Sequence, residues 1–89
     1  MKDMKQTPKS IYGDESQLLA GCLKRLRISA RMTQSELASK LGYSQAYVSK
    51  YECGQMQLSV VDVRRICLEL GSDLGKFIDE YEECLVTRR

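Results

Sequence analysis

Apolar positions recur at helical spacing along most of this chain, and polar breaks divide them into five groups. Leu19, Cys22, Leu23 and Leu26 stand at i, i+3, i+4 and i+7, which predicts a first helix from about Ser16 with Lys24, Arg25 and Arg31 on its polar side and Arg27 at the edge. Leu37, Ala38 and Leu41 predict a short second helix. Thr33 and Glu36 frame its start as a capping box, and Gly42 closes it because glycine takes the left-handed conformation of a C-terminal cap without strain. Only two residues later Ser44 can cap a third helix, so residues 34–52 read as two short helices joined by a tight turn, a helix-turn-helix. Ala38 supplies the small side chain needed where the two helices meet, with Val48 and Tyr51 pointing back at it. Ser59 and Asp62 repeat the cap signal ahead of Val63, Ile66, Cys67 and Leu70. A fifth helix, beginning at Ser72 or Asp73, carries Leu74, Phe77, Ile78, Tyr81 and Leu85 as one stripe. The fold class predicted is all-α, a compact five-helix bundle with the helix-turn-helix at helices 2 and 3.

The chain has 89 residues, enough for one small domain. Residues 1–15 are expected to form a flexible N-terminal arm, residues 16–86 the helical domain, and residues 87–89 a frayed tail. The fifth stripe is longer than closing a small core demands. Its outer half, around Tyr81, Cys84 and Leu85, is therefore expected either to contact a second copy of the chain or only to seal the core.

Winding the third helix at about 100° per residue gathers Gln45, Ala46, Ser49, Lys50 and Cys53 on one arc and sets Tyr47, Val48 and Tyr51 opposite. Short polar side chains with a single lysine suit a groove of double-stranded DNA. A glutamine can pair bidentately with adenine, a lysine can donate to guanine, and an alanine methyl can meet a thymine methyl.

Charge sharpens this reading. The formal net charge is only +2, but it is unevenly spread. Between Ser16 and Met56 stand Lys24, Arg25, Arg27, Arg31, Lys40 and Lys50 against Glu36 and Glu52. From Asp73 onward Asp73, Asp79, Glu80, Glu82 and Glu83 outnumber Lys76, Arg88 and Arg89. A basic half and an acidic end would orient the molecule on a polyanion. Cys22, Cys53, Cys67 and Cys84 form no CxxC pair and the chain has no histidine, so no metal site and no cofactor are expected. Cys22 and Cys67 fall on apolar helix faces and read as small core residues. No secretory or membrane-spanning segment is apparent, so the protein is expected in the cytoplasm, at the nucleoid. The absence of histidine, of a glycine-rich phosphate loop and of a cysteine with a base beside it argues against an enzyme.

Arg27 followed by MTQSELASKLGYSQAYVSKYECG resembles the helix-turn-helix of the phage repressor and Cro-like family, also called the xenobiotic-response-element family. Thr33, Gln34, Glu36, Leu37, Ala38, Gly42, Val48, Glu52 and Gly54 carry the resemblance, which covers roughly residues 18–70. It implies a lambda-repressor-like DNA-binding fold in a short bacterial or prophage transcriptional regulator. It also implies roles. Gln45, Ala46 and Lys50, with Ser49 adjacent, would read bases; Gln34, Ser44 and Tyr47 would contact phosphate or sugar, and Arg27 would pair with Glu52 to hold the scaffold. Cys53 and the segment 55–57, including Gln57, stand where members often reach phosphate through Asn, Arg or Lys. Arg25 and Lys24 would add sequence-independent phosphate contacts. An exposed Cys53 also suggests oxidation as a way to obstruct DNA docking.

Two functions follow. The first is a sequence-specific regulator, a repressor, that reads a palindromic operator as a homodimer. The alternative is an antitoxin or other protein-interaction module of the same fold, whose acidic fifth helix would meet a toxin or another regulator.

Overall fold

The computed structural model describes residues 13–87, which form five helices: α1 (Asp14–Ser29), α2 (Gln34–Leu41), α3 (Gln45–Glu52), α4 (Val60–Glu69) and α5 (Leu74–Thr87). Residues 1–12 of the expected arm and Arg88 and Arg89 of the expected tail lie outside the described residues. Helix α1 starts earlier than the apolar pattern suggested, with Asp14 and Glu15 in its first turn. Carboxylates there oppose the positive end of the helix dipole, a preference that apolar spacing does not carry.

Local chemistry explains most of the helix ends. Thr33 Oγ1 accepts from the Glu36 backbone N–H at 3.0 Å while Glu36 Oε1 accepts from the Thr33 N–H at 2.9 Å. Ser59 and Asp62 make the same reciprocal pair at the start of α4, at 3.1 and 3.2 Å. Asp73 Oδ1 accepts from the Lys76 N–H at 2.8 Å and opens α5. Ser44 departs from expectation. Its backbone is extended, as an N-cap requires, but its side chain makes no capping hydrogen bond, so α3 is set by the turn and by burial of Val48 and Tyr51.

Arg31 departs as well. Rather than lying on the polar side of α1, it follows the helix end in the left-handed region, at φ 59°. Its N–H donates to the Ile28 carbonyl at 2.9 Å and the Met32 N–H to the Arg27 carbonyl at 3.2 Å, which turns the chain toward α2.

Every helix contributes to one core. Leu23, Leu37, Val48, Tyr51, Ile66, Cys67 and Phe77 are its fully buried side chains, and Ala38 is buried where α2 meets α3. Helix α1 packs on both α3 and α5, and α4 packs on α2 and α5. The outer half of α5 folds back on α1. Tyr81 Oη donates to the Glu15 carbonyl at 3.1 Å, and Cys84 Sγ lies 3.5 Å from Cys22 Sγ. Leu85 is half-buried, while Ile78 and Val86 are exposed. No helix among the described residues is long and apolar enough to cross a membrane.

Candidate nucleic-acid interface

Helix α3 divides as its period requires. Val48 and Tyr51 are buried; Gln45, Ala46, Lys50 and Cys53 are exposed, and Ser49 is half-buried between them. The four expected base-reading side chains thus share one face of a helix whose opposite face is anchored in the core. That leaves a short, uncluttered surface whose donors and acceptors are available to a groove.

The anchor beneath this face is an ion pair. Arg27 Nε donates to Glu52 Oε2 at 2.7 Å and Arg27 Nη2 to Glu52 Oε1 at 3.0 Å, a bidentate arrangement with side chains only 10% and 2% exposed. Arg27 Nη1 donates to the Met32 carbonyl at 2.8 Å, so the guanidinium also ties down the turn after α1. The hydrogen bonds to Glu52 raise the Arg27 pKa above its ordinary value, against the opposing effect of burial. Simple winding put Arg27 at the edge of α1. It is buried because α3 packs over it and supplies the carboxylate.

Glu52 carries the arrangement outward. Its Oε1 accepts from Gln34 Nε2 at 2.9 Å, and Gln34 Oε1 in turn accepts from Gln45 Nε2 at 2.6 Å. A carboxylate can only accept, so it fixes which end of the Gln34 amide faces inward and leaves the carbonyl toward Gln45. Gln45 keeps its own carbonyl and a second amide hydrogen, the two groups that bidentate pairing with adenine uses. Neither the apolar pattern nor the family likeness indicated this bond between the opening residues of α2 and α3.

Tyr47 is half-buried between aromatic neighbours, its ring centroid 4.2 Å from that of Tyr43 and 5.7 Å from that of Tyr51. Burial, with smaller contributions from Asp62 and Tyr43, pushes its phenol up to about 12, so at neutral pH it remains a protonated donor. Arg65, which sequence reasoning passed over, braces the same turn. Its Nη2 donates to the Leu41 carbonyl at 2.9 Å and its Nη1 to Tyr43 Oη at 3.0 Å, with the guanidinium carbon 5.3 Å from the Tyr43 ring centroid. Nothing in the helical period of α4 marks it for this role.

The remaining expected contacts are dispersed. Ser44 is exposed at the start of α3, and Cys53 is an exposed free thiol at its end. Gln57 Nε2 donates to Ser16 Oγ at 3.2 Å, linking the connection after α3 to the first turns of α1. Arg25 stands apart from the α2–α3 group. Its Nη2 lies 3.1 Å from Cys84 Sγ and 3.4 Å from Cys22 Sγ, because its position on α1, one turn after Cys22, faces α5. Tyr81 and Cys84, expected either to contact a second copy or only to seal the core, each meet α1 within the chain. Among the described residues, no group of three or more Cys, Asp or Glu is placed to hold a metal ion.

A family model described as a helix-turn-helix domain matches residues 18–74. A search of curated proteins gives no significant match. Among solved structures, the fold is similar to the clp gene regulator ClgR from Corynebacterium glutamicum, with a TM-score of 0.76 and 22% identity over 91% of this chain and 83% of that one. A second ClgR structure gives a TM-score of 0.71 and 23% identity, covering 88% of this chain and 96% of that chain. The chain is also similar to FeII HppE in complex with substrate, with a TM-score of 0.63 and 32% identity. That likeness covers 70% of this chain but only 36% of HppE.

Proposed function

Because the chain belongs to the helix-turn-helix domain family, we propose that it is a sequence-specific DNA-binding regulator of transcription that reads an operator in the major groove through the exposed face of α3. The observation that carries the proposal is the placement of Gln45, Ala46 and Lys50 on that face, with Gln45 held by Gln34 over the Arg27–Glu52 pair. Gln45 and Lys50 would donate to base edges, Ala46 would pack on a thymine methyl, and Ser49 would contact the neighbouring base. Gln34, Ser44 and Tyr47 would position the domain on phosphates, supplying affinity without sequence information. Cys53 and Gln57 would lie at the margin of the same contact. Arg25, exposed on α1 with its Nη2 at the two thiols of α1 and α5, would add a phosphate contact away from the α3 face.

Repression is the form of regulation proposed, because occupying an operator needs nothing beyond a DNA-reading face. Binding as a homodimer belongs to the same proposal, with half-sites about one helical turn apart. Ile78 and Val86, exposed apolar side chains on α5, support a contact between copies better than the inward-facing Tyr81 and Cys84. The likeness to HppE covers about a third of that protein, so none of its chemistry is transferred and no enzymatic activity is proposed. A second reading, a partner-binding module of the antitoxin kind, is favoured by the exposed Asp79, Glu80, Glu82 and Glu83 of α5, which suit a basic protein.

Selection of binding sites from a random duplex library at about 0.15 M salt tests the leading reading. An inverted repeat is the expected product. Recovery of unrelated sequences, bound weakly and only at low salt, would contradict it.

A further inference from the structure

Cys22 and Cys84 stand 62 positions apart in sequence, yet their sulfurs lie 3.5 Å from one another, with the Cys22 thiol donating toward Cys84. They come from different helices, α1 and α5, and both are free thiols. Arg25 lies across the pair, its Nη2 within 3.4 Å of one sulfur and 3.1 Å of the other. Two surface clefts, of about 310 and 370 Å³, flank this point, with Arg25 and Glu80 lining both, Cys84 lining one and Cys22 the other. The pair therefore lies at the surface, with the half-buried Cys84 the more open of the two thiols. We propose that Cys22 and Cys84 form an oxidisable thiol pair which a hydroperoxide closes into an intramolecular disulfide, fastening the outer half of α5 to α1.

The chemistry assigns the two sulfurs different parts. Cys84 is half-buried and Cys22 buried, and burial pushes the Cys22 thiol up to about 11. Cys84, the less buried of the two, is thus the sulfur that meets the oxidant. The Cys84 thiolate attacks the outer oxygen of the hydroperoxide, the O–O bond breaks, and the departing alkoxide takes up a proton to leave as alcohol, or as water when the oxidant is hydrogen peroxide. Cys84 is then a sulfenic acid. Cys22 Sγ attacks Cys84 Sγ, the S–O bond breaks, and hydroxide leaves with the Cys22 proton as water. Two thiols and one hydroperoxide become one disulfide, one alcohol and one water. Bond formation would bring the sulfurs from 3.5 Å to about 2.0 Å. The crosslink would close most of the described chain into one loop, and loops of that size restrict the unfolded state strongly. This inference does not depend on what the α3 face binds.

The test treats the full chain with hydrogen peroxide, blocks the remaining thiols by alkylation and maps the peptides without reduction. The expected result is monomeric protein with the Cys22 peptide joined to the Cys84 peptide. Its thermal midpoint should stand roughly 10 °C or more above that of the reduced protein, and dithiothreitol should reverse both changes. Cys84→Ser should show neither. Full alkylation of both cysteines after peroxide, Cys84 driven to sulfinic or sulfonic acid without a link, or Cys84 joined to Cys84 of a second copy would each overturn the proposal. So would a linked protein whose midpoint has not moved.

Discussion

Gln45 Nε2 donates to Gln34 Oε1 at 2.6 Å, so the opening residue of α3 is tied to the opening residue of α2. Behind Gln34 stand Glu52 and then Arg27, both nearly closed to solvent. A side chain proposed to read bases is therefore held in place by contacts that end in a buried ion pair. Holding a recognition group this way reduces the ordering cost of binding.

Breaking that pair from the arginine side should be severe. Arg27→Met would leave the Glu52 carboxylate, 2% exposed, with Gln34 as its one side-chain partner among the described residues. Urea unfolding should show a loss of about 3–5 kcal/mol. A loss below about 1 kcal/mol would mean that the pair contributes no more than a surface contact.

The opposite sign is expected at Tyr51. Its ring is 1% exposed, and its hydroxyl is buried without a hydrogen-bond partner among the described residues. Burial also raises its pKa, which keeps the phenol neutral. Tyr51→Phe removes an unsatisfied donor and keeps the packing, so stability should be unchanged or up to about 1 kcal/mol higher. A clear decrease would show that the hydroxyl is satisfied.

Two helix ends make a matched pair of tests. Gly42 ends α2 at φ 78°, whereas Arg31 occupies the same left-handed region at φ 59° after α1. A Cβ at Gly42 would meet nothing within 4 Å, so strain there is purely of the backbone. Gly42→Ala should cost about 1–2 kcal/mol, while Arg31→Gly should gain about 0.5 kcal/mol, the relieved strain being partly offset by the freer unfolded chain. Equal and small effects at both positions would contradict the conformational argument.

Most of the architecture was legible in the sequence for a reason these residues illustrate. Leu19 to Leu26, Val63 to Leu70 and the Thr33–Glu36 and Ser59–Asp62 boxes are local patterns, and local patterns set where helices begin and which face they bury. What could not be read are contacts made by helices crossing. The Gln34–Gln45 bond, the Arg65 brace on Tyr43 and the Cys22–Cys84 approach join residues whose spacing has no helical meaning. Arg27 shows the limit from within one helix: its wheel position marks an edge, and only α3 makes that edge an interior.

Alkaline pH should destabilise the fold by a definite route. Burial pushes Cys22 and Cys67 from 9.0 to about 11 and Tyr47 from 10.0 to about 12. The folded protein thus holds protons that the unfolded chain releases, and stability falls as pH rises through that interval. Urea midpoints under reducing conditions should be flat up to about pH 8.5 and decline between about pH 9 and 12, where the unfolded thiols and phenols ionise first. A midpoint that rises over this range would contradict the burial of these groups.

Base reading by the exposed face of α3 is tested by measuring the affinity of wild type and Gln45→Ala for a selected operator and for its single-base-pair variants. Gln45→Ala should lose about 1–3 kcal/mol on the operator and become indifferent to the base pair at one position, with its preferences elsewhere intact. An equal loss on operator and random DNA, with every positional preference retained, would contradict it.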